Sequence, residues 1–227
     1  MTKILALDAS SEACSAALLI DNEIIERSDV VPRKHTELLL PMVDAVLAEA
    51  GIRLNQLDAL AFNRGPGSFT GVRVSTSVAQ GLAYAIDLPV IPISGLTAVA
   101  QGAWRLTQQD NILVLLDARM GEVYWAYFQQ QQSIMKLSSD EQVSTVSQIT
   151  KSDTDNWLAV GSGINVYNQE VMDWIEDSSI KINTELDLEL AYPQARDVAE
   201  LAKTEFELGN TVNAIDAQPI YIRDKIV

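Results

Sequence analysis

Between the apolar run Leu57–Phe62 and a helical pattern from Val72 to Ile86 stands the segment Asn63-Arg64-Gly65-Pro66-Gly67-Ser68-Phe69-Thr70-Gly71-Val72-Arg73. It reads as a strand-to-helix turn of an α/β fold, unusually rich in glycine. Gly65, Gly67 and Gly71 admit positive φ and close backbone approach, and Pro66 stiffens the bend between the first two. Ser68 or Thr70 is placed to cap the helix that follows. A helix start presents N–H groups and a partial positive charge, so the sequence predicts a seat for an anion or a partner's carboxylate here, with Arg73 nearby. An exposed Phe69 suits contact with another protein. Two phosphate motifs fail on their residues. A P-loop needs Gly-Lys-Ser/Thr, but Gly71 is followed by Val72-Arg73; a dinucleotide fingerprint needs two residues between its last glycines, and Ser68, Phe69 and Thr70 make three. A tight turn used only for packing is the competing reading.

Charge is the second constraint. The 227 residues carry 31 Asp plus Glu against 16 Lys plus Arg, a formal net charge of -15. A chain that grips nucleic acid by itself usually carries a basic stripe, because affinity comes from releasing counterions around neutralised phosphates. None is visible, so contact with RNA is expected only through a more basic partner. No apolar run approaches the roughly 18 residues of a membrane span, and Asp8 interrupts Ile4–Leu7 before it can serve as a signal-peptide core. The expected setting is the cytoplasm, with no membrane partner. The one cysteine, Cys14, sits among Ala13, Ala16, Ala17 and Leu18 and reads as a small buried strand residue. The one histidine, His35, lies at a helix entry, where it is a poor candidate for a general base.

The order of elements points to a duplicated α/β architecture. Ile4–Asp8, Cys14–Ile20 and Glu23–Ser28 read as a strand meander. A helix over Glu37–Ala50 ended by Gly51, a strand at Ala59–Asn63, the helix to Ile86, a strand at Val90–Ser94 and a helix near Leu96–Leu106 follow. Pro41 implies that the first helix starts late or kinks. The run Ile112–Ala118 then echoes Ile4–Ala9, and Glu122–Gln131 supplies a next strand, so the second half repeats the first. Two subdomains are expected, residues 1–108 and 109–227, with the last segment packing back on the first. Gln129–Gln132 and the polar stretch Ser138–Asn156 read as solvated loops and an edge strand.

As a string, NRGPGSFTGVRVSTSVAQGLA closely resembles the signature of the TsaB (YeaZ) family, the non-catalytic partner in bacterial tRNA threonylcarbamoyladenosine synthesis. LALDAS, KHTELLLPMVDAVL, PISGLTAVA, LDARMGEVYWA, PQARDVAELA and PIYIRD extend the resemblance over most of residues 1–128 and about the last 35, with Gln129–Leu190 the weakest part. Many family members have Thr where Ala9 stands and a small residue where Asn63 stands. The resemblance implies the actin, hexokinase and Hsp70 superfamily (RNase H-like) fold: mixed sheets flanked by helices in two subdomains. In active members of that superfamily the turn after the first strand of each half cradles ATP phosphates, with an Asp near the metal. Here the first turn, Asp8-Ala9-Ser10-Ser11-Glu12, has no glycine and adds an acidic residue, which disfavours a phosphate. The second, Asp117–Glu122, has only Gly121, and Gly161-Ser162-Gly163 is a candidate remnant of an adenosine-contacting loop. The catalytic TsaD relatives hold a metal with two histidines four residues apart, a pair that one histidine cannot make. No catalytic, cofactor-binding or metal-binding residue is therefore assigned, and ATP and a metal are expected on partner subunits.

Two helices carry more apolar surface than a core requires. At 100° per residue, Leu38, Leu39, Leu40, Met42, Val43, Val46, Leu47 and Ala50 fill an arc of roughly 200°, as do Val72, Val74, Val78, Ala79, Leu82, Ala83, Ala85 and Ile86, where somewhat over 100° suffices. Ser77 and Gly81 on the second helix leave room for another helix to approach. Full burial by neighbouring helices of the same chain is the competing reading. The resemblance points to pairing through these N-terminal helices with TsaD, or with a second copy in its absence, and to a TsaE-type ATPase docking at the joint. The expected partner-facing residues are Leu38, Met42, Ala45 and Val46; the loop residues Gly65, Pro66, Gly67, Ser68, Phe69, Thr70 and Arg73; and Ser77, Ala79 and Gly81. Different readings are a sugar-kinase-like phosphotransferase or a peptidase, and a structural dimer with no role in the pathway.

Overall fold

The structure, a computed structural model, describes residues 2–152, 156–176, 180–182 and 191–223. Residues 153–155 of the polar stretch, most of 177–190, and Asp224 of the closing PIYIRD segment lie outside the described residues. The chain divides into two compact units, residues 1–98 with 193–220, and residues 99–192 with 221–227. The division therefore falls inside a helix, ahead of the expected residue 108, and the segment belonging with the first unit begins at Pro193.

In the first unit the long apolar run of strand β1 (Lys3–Asp8) lies in the middle of a sheet. It pairs antiparallel with β2 (Ala13–Ile20), which pairs antiparallel with β3 (Glu23–Val30). On its other side β1 runs parallel to β4 (Ala59–Asn63), and β4 parallel to β5 (Val90–Ile93), in the order β3-β2-β1-β4-β5. Strands covered on both faces read as continuous apolar runs, and β1, β2 and β4 do. The edge strand β3 carries Glu23, Glu26, Arg27 and Asp29 and is largely exposed, which protects the edge from pairing with other chains.

Alternation along the strands sends Leu5, Leu7, Ala16, Leu18, Leu60 and Phe62 to one face, into a core shared with helices α1 (His35–Ala50) and α2 (Phe69–Ile86). Helix α1 starts two residues earlier than expected and runs through Pro41, so a late start is ruled out. It ends on Gly51 at φ 65, a left-handed cap that glycine adopts without a Cβ penalty. Ser15 faces the other way and its Oγ accepts the Ala195 N–H at 2.9 Å, seating α6 (Ala195–Glu207) on the opposite face of the sheet. Ala195, Val198, Ala199, Leu201 and Ala202 of this helix are buried.

Helix α3 (Gly95–Thr107) carries the chain from the first unit into the second. There β6 (Asn111–Asp117), β7 (Val123–Gln131), β8 (Ile134–Leu137), β9 (Gln142–Ser144), β10 (Leu158–Val160) and β11 (Lys181–Ile182) form a sheet of order β11-β10-β6-β7-β8, with β9 on β7. Read as β8-β7-β6-β10-β11, it repeats the first sheet strand for strand: two antiparallel pairs, then two parallel ones. The duplicated mixed-sheet layout expected from the sequence is thus present, once in each unit. The glutamine run ends β7 and turns into β8 through Gln132 and Ser133, both at positive φ, the conformation of a two-residue hairpin turn. Helices α4 (Ser162–Val166) and α5 (Asn168–Ile175) follow β10. Trp125, Tyr127 and Trp157 pack edge to face in the core of this unit. Among the described residues no helix is long and apolar enough to cross a membrane.

Candidate docking site

The glycine loop is held from several sides within the first unit. Arg64 N–H donates to the Ile93 carbonyl at 2.9 Å, Gly65 N–H to Asn63 Oδ1 at 2.9 Å, and Ser68 N–H to the Ser10 carbonyl at 2.6 Å. Gly65 sits at φ 101, and a Cβ on Gly71 would stand 1.9 Å from the Ala9 carbonyl oxygen, so both positions require glycine. Ser68, the N-cap of α2, accepts the Gly71 N–H on its Oγ, as the sequence predicts. The helix start is not the open anion seat that the sequence also predicts. The Ala9 and Ser10 carbonyls crowd its approach, and their oxygens carry the charge sign that repels an anion. The β1–β2 turn and the loop pack on each other, with Gly67 and Gly71 against the Ala9 and Ser10 backbone.

Asp8 sits under this junction. Its side chain is fully buried, and Oδ1 accepts from Ser10 Oγ at 2.8 Å, Ser10 N at 3.3 Å and Asn63 Nδ2 at 2.7 Å. Asn63 Nδ2 also donates to Ser10 Oγ at 2.7 Å. Oδ2 has no hydrogen-bond partner among the described residues. Burial pushes the carboxyl up to about 6 against the pull of these hydrogen bonds. Burial, together with Asp8, likewise pushes the Cys14 thiol up to about 12, so Cys14 is an inert core residue. His35 opens α1, half-buried, with no hydrogen-bond partner for Nε2 among the described residues.

The equivalent position in the second unit is bonded differently. Asp117 Oδ1 accepts the Arg119 N–H at 2.8 Å and the Tyr167 hydroxyl at 3.0 Å, and Oδ2 pairs with the exposed Arg119 guanidinium at 2.9 Å. Gly161-Ser162-Gly163 lies against the Leu115 backbone, and Ser162 Oγ accepts the Asp117 N–H. These glycines serve strand-to-helix packing. Among the described residues no group of three or more His, Cys, Asp or Glu is gathered to hold a metal.

What the first unit leaves open is the outer face of α1 and α2. A groove of about 440 Å³ is lined by Thr36, Phe69, Thr70, Arg73, Val74, Ser77 and Val78. Phe69 is 45% exposed and the Arg73 guanidinium stacks over its ring, 3.4 Å from the centroid. Ser77 and Gly81 are exposed on the same helix, and Tyr84 beyond them is 77% exposed. On α1, Leu38, Met42 and Ala45 are half-buried and Leu40 is exposed. The wide apolar arcs thus divide into a core stripe (Leu39, Val43, Val46 and Leu47; Val72, Ala79 and Ala83) and a half-covered shoulder that includes Met42, Val74, Val78 and Leu82.

Four expected contact residues need correction. Val46 and Ala79 are wholly enclosed in the core, and Gly65 and Pro66 are buried, so none offers surface to a partner. Val46 and Ala79 lie on the apolar arcs but face the core under the sheet, and a Cβ on Gly65 would meet the Ile220 carbonyl and the Val72 side chain. Thr36, Val74 and Val78, which line the groove, are absent from the expected set; Val74 and Val78 were visible in the second arc, and Thr36 carries no signal of its own.

The family described as TsaD, tRNA N6-adenosine threonylcarbamoyltransferase, matches residues 20–225. The chain is 43% identical to the tRNA threonylcarbamoyladenosine biosynthesis protein TsaB of Haemophilus influenzae, covering 98% of this chain and 94% of that protein. It is 37% identical to the Escherichia coli TsaB, covering 99% and 96% respectively. The solved structure of YeaZ from Pseudomonas aeruginosa is similar to this chain, with a TM-score of 0.88 at 38% identity, over 97% of this chain and all of that one. With two relatives matched over nearly their full length, the chain belongs to the TsaB (YeaZ) family.

Proposed function

We propose that this chain is a non-catalytic subunit in the threonylcarbamoyladenosine modification of tRNA, which pairs with a TsaD-type catalytic subunit and helps recruit a TsaE-type ATPase. The observation that carries the reading is the apolar groove on α1 and α2, with the Phe69–Arg73 stack at its edge, on a unit whose glycine loop is bonded to its own β1–β2 turn. The TsaB relatives are tRNA threonylcarbamoyladenosine biosynthesis proteins, which supports the choice of pathway. A partner helix laid along Ser77 and Gly81 covers the shoulder that the core leaves half-exposed. In this reading ATP and a metal ion reside on the partner subunits, and the acidic surface leaves tRNA to them. Without the partner, the same face pairs two copies of the chain, since an isologous contact uses one patch twice.

The test is threonylcarbamoyl transfer to tRNA in a reconstituted mixture of the TsaD-type subunit, the ATPase and the activated donor, with this chain present or omitted. Transfer that depends on the chain supports the reading. Full transfer without it overturns the reading.

A further inference from the structure

The groove depends on where helix α2 begins, and the start of α2 is tied to strand β1 through buried polar side chains. Asp8 and Asn63 stand side by side at the carboxyl ends of the parallel strands β1 and β4, on the same face of the sheet. Asp8 Oδ1 binds both the hydroxyl and the backbone N–H of Ser10, and Asn63 Nδ2 binds that hydroxyl as well. Ser10 is therefore held at three bonds by two strands, and its carbonyl in turn accepts the Ser68 N–H at the N-cap of α2. The other end of the Asn63 amide, Oδ1, accepts the Gly65 N–H at the first turn of the loop. All three side chains are buried, Asp8 and Asn63 completely. Each bond is made in place of solvent, and a missing partner would leave a buried polar atom unpaired.

We propose that Asp8, Ser10 and Asn63 form a buried latch that fixes the glycine loop and the first turn of α2, and so holds Phe69 and Arg73 in the arrangement on which a partner subunit docks. The three are positioning residues; none touches the partner. The inference rests on the pairing reading above. A core made only for volume would be served as well by apolar side chains, whereas this one spends a carboxylate and an amide on placing two backbone groups of the loop.

The test uses the full chain with Asn63→Leu, which keeps volume and removes every bond of the amide, and Ser10→Ala, which removes one hydroxyl and leaves the backbone bond to Ser68. Asp8→Asn is the conservative variant, since its Oδ1 still accepts all three bonds. Ser77→Glu serves as a control on the docking face. Two readouts are taken: amide hydrogen exchange in the peptide over residues 64–73 compared with the strands of the sheet, and affinity for the TsaD-type subunit. The expected result is exchange faster by roughly tenfold in the loop peptide alone for Asn63→Leu and Ser10→Ala, with pairing weakened about tenfold. Asp8→Asn is expected to keep both loop protection and pairing. Loop exchange unchanged in Ser10→Ala, or a loosened loop with undiminished pairing, overturns the latch; if Asn63→Leu does not fold, Ser10→Ala decides alone. A Ser77→Glu chain that pairs as well as the parent overturns the docking face itself, and the two failures are thereby told apart.

Discussion

At the scale of single residues, the junction of β1 with the glycine loop is where chemistry and stability are most exposed to measurement. Asp8 has its carboxyl raised from 3.8 to about 6 by burial, so the folded state binds its proton more readily than the unfolded state does. The cost of holding the ionised form is absent below about pH 4 and grows by about 1.4 kcal/mol per unit to about pH 6. It then levels off near 3 kcal/mol. Asp8→Asn removes the titration and leaves an unpaired buried N–H where Oδ2 stood, which offsets part of the gain. Urea melts are expected to show the variant about 1 to 2 kcal/mol more stable than the parent at pH 8 and no more stable near pH 5. An advantage that does not grow with pH would show that the carboxyl is not the titrating group. Gly71→Ala is the opposite case: a Cβ 1.9 Å from the Ala9 oxygen forces α2 and the turn apart, for an expected loss of about 2 to 4 kcal/mol in the same melts.

At the scale of elements, helices α1 and α2 separate residues that look alike in sequence. Ala79 and Ser77 lie two positions apart on α2, one wholly buried and one exposed. Ser77→Glu is expected to shift stability by less than about 0.5 kcal/mol while lowering the mass in sedimentation of the proposed dimer. Ala79→Glu buries an unpaired carboxylate and is expected to unfold the unit at neutral pH. Gly81 has nothing within 4 Å of where a Cβ would stand, so Gly81→Ala is expected to stabilise the isolated chain by about 0.5 to 1 kcal/mol through helix propensity, read by thermal melts. The sequence revealed both helices and the loop between them because their periodicity and glycine spacing are strong. It did not reveal which edge of each wide arc faces the sheet: Val46 and Met42 are equally apolar, and only the packing against β2 and β3 tells them apart. Strand β11, two residues long, and β10, three, are too short to show a period, so the second half of the second sheet was not legible.

At the scale of the whole molecule, the duplication was readable from one echo, Ile112–Asp117 repeating the pattern of Ile4–Asp8, because the first strand of each half is buried on both sides and ends in Asp. The return of the chain after Pro193 to complete the first unit was legible only as an expectation from the tail, since α6 has an ordinary amphipathic pattern and nothing in it names the sheet it covers. Its role yields a test that intrinsic fluorescence can read cleanly. All four tryptophans, Trp104, Trp125, Trp157 and Trp174, belong to the second unit, so the first unit has no tryptophan signal of its own. Ending the chain after Tyr192 removes α6 with its buried stripe Ala195, Val198, Ala199, Leu201 and Ala202, and uncovers the face of the first sheet that carries Ser15. Losing several such side chains at about 25 cal/mol per Å² of apolar surface exceeds the stability of a small unit. The shortened chain is expected to lose the first unit's protected amides while the tryptophan emission stays at its folded wavelength. The cut also removes Arg223, which pairs with Glu122 in the second unit, so Arg223→Ala in the full chain is the control that isolates that bridge. Retained amide protection in β1, β2 and β4 of the shortened chain would mean that α1 and α2 alone sustain the sheet, and that α6 is a cover instead of a part of the core.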